Sequence, residues 1–186
     1  MKKCVLLSLC LVAASLHAEM KIGAVDMMTL IRNHADYDRN KALVETTSKD
    51  YDAQIEAIKK EGEKLQADAK KYSEQYRSPM FSDKAKADIE KKLQDLQQKM
   101  MGVEQRYRSK VSLVRQELQD LEGRLLKATT EDLRARIDKF AEANGFDLIL
   151  DKSVMPYCKA DYEVTDRVLT EMGVDPAKAK GRNEGK

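Results

Sequence analysis

A helical pattern runs out and back between Lys41 and Asn144 in this chain of 186 residues, and Pro79 is the only proline within it. On both sides of Pro79, apolar or small residues recur in steps of four and three, which is the pattern of a coiled-coil seam. The outgoing seam comprises Val44, Ser48, Tyr51, Ile55, Ile58, Gly62, Leu65, Ala69, Tyr72 and Tyr76. The return seam comprises Ile89, Leu93, Leu96, Met100, Val103, Tyr107, Val111, Val114, Leu118, Leu121 and Leu125. The pattern therefore predicts two long helices that pack against each other as a hairpin.

The turn of this hairpin is marked by the residues near 77–83. Because a proline disfavours helical geometry in the residue before it, Pro79 predicts that the outgoing helix ends near Arg77. Ser82 is expected to cap the return helix. At the other end, Gly145 offers the left-handed conformation that commonly terminates a helix, so the return helix is expected to end near Asn144. The coiled-coil hairpin is thus predicted to span residues 41–143, with its tip near 77–83.

Three small residues, Ser48, Gly62 and Ala69, leave the outgoing seam thin. Two interpretations stay open. The hairpin is loosely packed and flexible, or the small residues allow the two helices to approach closely. In either case a narrow, charged hairpin has little interior for an active site and much surface for holding another molecule.

Short strand-like segments flank the hairpin, Lys21–Asp26 before it and Phe146–Leu150 after it. The second segment is mostly apolar, so we expect it to be buried on both faces of a sheet. Val154–Cys158 is expected to add an edge strand, because Pro156 excludes a central position. One more helix, Asp166–Met172, is expected to begin after a cap and to end at a glycine.

In that last helix, Thr165 is the expected cap and Gly173 the expected end. The predicted body, residues 19–40 with 144–173, has too little sheet to be stable alone, so we expect chains to complete the sheet between them. The residues expected at that interface are Ile22, Val25, Leu148, Ile149, Leu150 and Tyr157. The tail, residues 174–186, is rich in Lys and Gly and is predicted to be disordered.

The first residues, 1–18, have the layout of a secretory signal peptide. Lys2 and Lys3 precede an apolar run, Cys4–Leu16, and Ala18 is a small residue at the expected cleavage site. A membrane anchor is the alternative, but the run is shorter than the about 20 residues that a spanning helix needs. Export predicts an oxidising compartment, where Cys158 would be the only cysteine left and no internal disulfide could form. We expect Cys158 to be a small buried residue near a strand, with pairing between chains as the alternative.

The charge balance argues against one class of partner. The chain has 34 Lys and Arg against 32 Asp and Glu. Loss of Lys2 and Lys3 with the leader would leave it neutral, which is unlike a nucleic-acid binder whose affinity comes from neutralising phosphates. The distal hairpin, residues 59–92, is mildly basic, with ten Lys and Arg against seven Asp and Glu. This excess could steer an acidic partner or an anionic lipid surface, within the range that salt screening permits.

The sequence has no residue pattern typical of an enzyme or a cofactor site. It contains no Gly-rich phosphate loop, so work driven by ATP is not expected. After the leader, His34 is the only histidine, and a lone histidine without nearby ligands is a poor metal site. We expect His34 to be exposed after a first short helix. The sequence therefore predicts no catalytic residue, no metal and no cofactor.

Three motifs resemble the Skp/OmpH family. Ala24–Ile31 is similar to its opening segment, Phe146–Lys152 followed by Tyr157 to its second signature, and Asp161–Leu169 to its closing motif. The resemblance implies a mainly α fold, in which a long helical hairpin projects as a tentacle from a small β-rich body. It further implies a homotrimer with a barrel-like body shared between subunits and three tentacles around a cavity. In function, it implies a periplasmic holdase that keeps unfolded outer-membrane β-barrel proteins from aggregating during outer membrane assembly. The chain departs from the best-known members, which are strongly basic, and no lipopolysaccharide-binding residues are carried over.

Two classes of function follow, a chaperone that binds unfolded clients and a structural envelope protein whose hairpin acts as a spacer or adaptor. A spacer needs a continuous, well-packed seam, so the thin seam favours the chaperone. Methionines near the tip and in the return arm offer the adaptable apolar contacts that promiscuous binders use. Met100 also fits as a seam residue and Met80 as a turn residue. The residues predicted to bind clients are Tyr72, Tyr76, Met80, Phe81, Met100 and Met101.

Overall fold

The computed structural model describes residues 20–184, and its internal contacts divide them into two compact units. The hairpin unit comprises Ile31–Arg134, and the body unit comprises the described residues up to Leu30 and from Ala135 onward. The predicted leader, residues 1–18, lies outside the described residues.

Two long helices make up most of the chain, and three of their four ends lie where the sequence predicts, whereas the first helix begins at Tyr37, four residues before the expected Lys41. Helix α2, Tyr37–Arg77, stops before Pro79, and helix α3, Asp83–Asn144, begins after Ser82, whose Oγ accepts the backbone N–H of Ala85 at 3.4 Å. Gly145 has a φ of 65°, the left-handed conformation expected after the last helical residue. The predictions for both ends of the turn and for the end of α3 are therefore confirmed.

Within the hairpin unit, α2 and α3 pack antiparallel through the predicted seam. The Nζ of Lys92 lies 5.2 Å from the ring of Tyr72, and the Nζ of Lys110 lies 5.1 Å from the ring of Tyr51. Residue numbers thus fall along α2 as they rise along α3. The return seam contributes the fully buried members of this contact, Ile89, Leu96, Val103 and Val114.

The outgoing seam is covered less completely. Along α2, all of which the structure describes, no residue is fully buried. The predicted outgoing seam residues are half-buried, except Tyr76, which is 42% exposed. A two-helix hairpin covers each helix on one side only, and small side chains such as Gly62 cover still less of the partner helix.

The body unit is built around two short parallel strands, β1 at Ile22–Val25 and β2 at Leu148–Asp151. Their register pairs Ile22 with Leu148 and Val25 with Asp151. Helix α1, Met27–Arg32, follows β1, and helices α4, Thr165–Glu171, and α5, Pro176–Glu184, close the chain. The buried apolar residues of this unit are Ala24, Val25, Leu30, Phe140, Val164, Val168, Leu169 and Ala179.

An aromatic stack fixes the last turns of α3 within the body. The rings of Phe140 and Phe146 are stacked with centroids 5.6 Å apart. The Nζ of Lys21 lies 4.4 Å from the ring of Phe146, and the guanidinium of Arg167 lies 5.1 Å from the ring of Phe140. Arg167 also donates to the side-chain oxygen of Asn144 at 2.6 Å. These cation–π and polar contacts hold β1, α3 and α4 together.

The predicted edge strand at Val154–Cys158 is wrong. The chain instead forms a 3₁₀ turn at Lys152–Val154, in which the Asp151 side chain accepts the backbone N–H of Ser153. In place of an edge strand, a single parallel β-bridge joins Ala24 of β1 to Glu163. The expectation that Phe146–Leu150 is buried on both faces is also wrong, because Leu148 is 42% exposed.

Two expectations about the C-terminal segment are wrong. Thr165 does not cap α4 with its side chain, because Val164 is the cap residue and the Thr165 hydroxyl accepts the backbone N–H of Asp26 at 2.8 Å. The tail is not disordered over Pro176–Glu184, which form α5 and bury Ala179 completely. Gly173, with a φ of 78°, lies just after α4, as expected.

The prediction that His34 is exposed is wrong. The side chain is only 8% exposed, and its Nε2 lies 2.9 Å from a carboxylate oxygen of Asp132 in α3. The backbone N–H of Asp36 donates to Nδ1 at 3.1 Å, which assigns the ring proton to Nε2, pointing at Asp132. His34 therefore joins the start of α2 to α3 at the base of the hairpin unit.

Candidate functional site

The tip of the hairpin unit presents two apolar side chains to solvent. Met80 is 90% exposed and Phe81 is 36% exposed. The turn that carries them is ordered by hydrogen bonds, since the Ser78 hydroxyl accepts the backbone N–H of Met80 at 3.3 Å and Ser82 caps α3. The structure thus fixes the backbone of the tip and leaves its apolar side chains free to contact another molecule.

Below the tip, the two predicted tyrosines differ in their surroundings. Tyr72 is half-buried in the seam, where Lys92 lies over its ring. Tyr76, one turn nearer the tip, is 42% exposed. Tyr76 can therefore extend the apolar surface of Met80 and Phe81, whereas Tyr72 contributes mainly to helix packing.

A second apolar surface, here called the mid-hairpin groove, lies between α2 and α3. It has a volume of about 560 Å³ and is lined by Ile58, Gly62, Ala69, Leu93, Met100 and Val103. Two amide side chains, Gln66 and Gln97, also reach the groove. Its charged lining consists of Lys59 and Glu104, one of each sign.

The groove follows from the small residues of the outgoing seam. Gly62 and Ala69 lie two turns apart on the same face of α2, so they leave open the space that larger seam residues would fill. A methyl group at Gly62 would lie 3.4 Å from the Cγ1 of Val103, an ordinary contact distance. Close approach of the helices therefore does not require a glycine here.

The structure brings together only some of the predicted client-binding residues. Met100, 36% exposed, and Met101, 57% exposed, both line the mid-hairpin groove, whereas Met80 and Phe81 form the tip. Sequence reasoning missed Ile58, Leu93 and the two glutamines as groove residues. The signal that could have revealed them was the gap at Gly62 and Ala69 opposite a large return seam.

A further groove, here called the base groove, lies nearer the start of α2. It has a volume of about 380 Å³ and is lined by residues that include Ile31, Tyr37, Val44, Leu125, Leu126 and Thr129. Leu126 is 53% exposed. The hairpin unit therefore carries apolar surface at three levels: the tip, the mid-hairpin groove and the base groove.

The residues predicted to join chains occupy different depths in the body unit. Leu148 is 42% exposed and Tyr157 is 77% exposed, so both present apolar surface to solvent. Ile22, Ile149 and Leu150 are half-buried. Val25 is only 2% exposed and packs inside the single chain, so it has no surface to offer a second copy.

A polar network lies beside β1 in the body unit. Burial raises the pKa of Asp26, but the hydrogen bonds from the backbone N–H and hydroxyl of Thr29, together with the positive charge of Lys152 and the backbone N–H of Met28, outweigh burial, so the pKa lies below its ordinary value. Lys152 forms an ion pair with Glu163, and the hydrogen bond to that carboxylate raises the pKa of Lys152. Glu163 also accepts the hydroxyl of Thr165. The network satisfies its own polar groups and serves to connect α1, the 3₁₀ turn and α4.

The described part of the chain carries no arrangement of metal-ligating side chains. Among residues 20–184, no group of His, Cys, Asp and Glu could hold a metal ion. Cys158 is half-buried, and its thiol donates to the carbonyl of Lys159 at 3.3 Å.

Across the same described range, no helix is both long and apolar enough to cross a membrane.

The fold is mainly helical, with a long helical hairpin and a small β-containing body. The family of OmpH-like outer membrane proteins matches residues 21–172, which is most of the chain. The chain therefore belongs to the OmpH-like family, a chaperone family of the periplasm, and the resemblance drawn from the three sequence motifs is confirmed. Among curated proteins, no match to the chain is found.

Proposed function

We propose that this protein is an ATP-independent periplasmic holdase that binds unfolded outer-membrane β-barrel proteins and prevents their aggregation during outer membrane assembly. The observation that carries the proposal is the apolar surface of the hairpin unit. Met80 is 90% exposed at the tip, and the mid-hairpin groove opens between α2 and α3. Membership of a chaperone family supports this use of the surface.

The physical task of such a protein is to cover apolar segments without holding them in one structure. An unfolded barrel protein exposes strands whose lipid-facing side chains are apolar. Flexible methionine side chains adapt to many such partners, and Met80, Met100 and Met101 provide them on the hairpin unit. Binding of this kind depends on burial of apolar area and needs no nucleotide.

We further propose that the protein is a homotrimer assembled through the body unit. Two strands alone are marginally stable in water. The exposed Leu148 on β2 and the exposed Tyr157 supply apolar surface that a second copy would cover. Residues 1–18 would direct export to the periplasm and be removed there.

The spacer alternative requires a continuous seam, and the mid-hairpin groove interrupts it at Gly62 and Ala69. A structural role also gives no reason for Met80 to be almost fully exposed at the tip. These observations support the chaperone over the spacer.

The direct test is light scattering after rapid dilution of a denatured outer-membrane barrel protein. We expect the full chain to suppress aggregation at a stoichiometric ratio, equally well with and without ATP. An unrelated helical protein at the same mass concentration serves as the control. Scattering as high as in that control, or suppression only with ATP, would contradict the proposal.

A further inference from the structure

The dimensions of the mid-hairpin groove limit the length of chain that it can hold. Gly62 and Ala69 are seven residues apart on α2, which corresponds to roughly 10.5 Å at 1.5 Å per residue. In an extended chain, side chains on the same face repeat about every 6.6 Å. The groove between the two small residues therefore has room for two side chains from one face of a strand.

The hydrogen-bonding groups of the groove favour an extended chain over a helix. A helix hydrogen-bonds its own backbone, so a helix laid along the groove would cover the amides of Gln66 and Gln97 without offering them backbone partners. An extended segment has unpaired backbone N–H and C=O groups that can pair with both amides.

The chemistry of the lining indicates which strand fits. Ile58, Leu93 and Val103 give apolar walls, and Lys59 and Glu104 cancel in charge. A charged side chain entering between these walls would lose its hydration, and both lining charges are already engaged, Glu104 by Arg108 and Lys59 by the ring of Tyr107. Gln66 and Gln97 can both donate to and accept from the unpaired backbone of an extended segment.

We infer that the mid-hairpin groove binds extended client segments through two uncharged, apolar side chains at positions i and i+2. This pattern is that of the lipid-facing side of a transmembrane β-strand, where apolar and polar residues alternate. The inference rests on the proposed holdase function and assigns a selectivity to it. The groove prefers a strand-like alternation over the same residues in another order, and Met100 and Met101 adapt to the size of the side chains.

The test uses the full chain and fluorescently labelled peptides of about ten residues, the length of a transmembrane strand. One peptide alternates Leu or Tyr with Ser or Thr, a second contains the same residues with the apolar ones in a block, and a third spaces them at helical intervals. We expect the alternating peptide to bind roughly tenfold more tightly than either rearranged peptide, the equivalent of one additional buried apolar side chain.

Two glycines of the hairpin unit allow a matched pair of variants. Gly62→Leu places a side chain in the groove, whereas Gly102→Leu adds the same side chain at a Cβ position that has no described atom within 4 Å beyond the adjacent residues and its own helix backbone. Both changes replace a helical glycine and so raise helix propensity alike. We expect Gly62→Leu to lose the preference for the alternating peptide and Gly102→Leu to keep it. Ala69→Leu fills the other end of the groove and replaces Gly62→Leu if circular dichroism shows that the latter is misfolded.

Several outcomes overturn the inference and leave the holdase function intact. Equal binding of the three peptides to the unmodified chain, or tighter binding of the helically spaced peptide, excludes selection of a strand. Retention of the preference by both Gly62→Leu and Ala69→Leu places the selectivity elsewhere. Self-association that is weaker in Gly62→Leu than in the unmodified chain would mean that a second copy fills the groove. Failure of the holdase itself is separately visible, because the unmodified chain would then not suppress aggregation.

Discussion

Gly23 in β1 is the position at which one added methyl group should be most harmful to the body unit. A Cβ there would lie 3.2 Å from carbon atoms of Phe146 and Val164 and 3.3 Å from one of Ile149. Carbon atoms pack best at about 3.5–4.0 Å, and Phe146 cannot move freely because it is stacked on Phe140. Overpacking costs about 1–3 kcal/mol, and the loss of chain freedom on replacing glycine returns about 0.4–1 kcal/mol. The difference lies between about 0 and 2.6 kcal/mol, so we expect Gly23→Ala to lower the free energy of unfolding by about 1.3 kcal/mol, the difference of the two midpoints.

Gly102→Ala is the matched control, since Gly102 is an exposed helical residue whose Cβ would have no described neighbour within 4 Å beyond the adjacent residues and its own helix backbone. It should raise the free energy of unfolding by up to about 1 kcal/mol through helix propensity. Urea unfolding followed by circular dichroism measures both changes, and hydrogen exchange at the β1 amides assigns the first to the body unit. An increase in stability for Gly23→Ala similar to that of Gly102→Ala would refute the reasoning.

Three further predictions concern assembly, client binding and pH. Leu148→Asp should dissociate the proposed homotrimer, because a charge buried between chains without a partner costs several kcal/mol. Sedimentation velocity measures this, and a folded monomer in the unmodified protein would exclude the trimer. Replacing both Met80 and Phe81 with Ser should weaken binding of an unfolded barrel protein more than replacing both Lys70 and Lys71 with Gln, at low and at moderate salt. A larger loss of affinity in the lysine variant would indicate that clients are bound mainly by charge. Because the folded pKa of Asp26 lies below its ordinary value of 3.8, the stabilising contribution of this carboxylate is present above pH 3.8 and is lost as pH falls through the folded pKa. Asp26→Asn should consequently lose less stability than the unmodified chain on acidification, as measured by thermal unfolding, and equal losses would argue against this role.

The hairpin could be predicted in detail because its signals are local. The seam repeats every few residues, Pro79 limits the preceding residue, and Gly145 has the conformation that its position in the sequence suggests. Met100 and Met101 were also identifiable as candidate contacts from their type and place. The small residues Gly62 and Ala69 indicated a gap in the seam, but the return-helix residues that line this gap depend on the register of α2 against α3, which the sequence does not give.

The errors arose where a residue finds its partner far away in the sequence. His34 can be buried because its ring donates a hydrogen bond to Asp132. The Thr165 hydroxyl accepts the backbone N–H of Asp26 instead of capping α4. Periodicity within a short window contains no information about such pairs. The prediction of disorder for the C-terminal segment failed for a similar reason. Its composition suggests disorder, whereas Ala179 is completely buried in the body unit.

The central claim is that clients are held on the hairpin unit and that the body unit joins chains. Site-specific photo-crosslinking tests it most directly, with a photoreactive amino acid placed in turn at Met80, Met101 and Tyr157, all of which are well exposed in the single chain. Each full-length variant is mixed with a denatured outer-membrane barrel protein, irradiated and analysed by mass spectrometry. The account predicts client adducts at Met80 and Met101 and adducts with a second copy of this chain at Tyr157. Client adducts concentrated at Tyr157, with none at the two methionine positions, would contradict it.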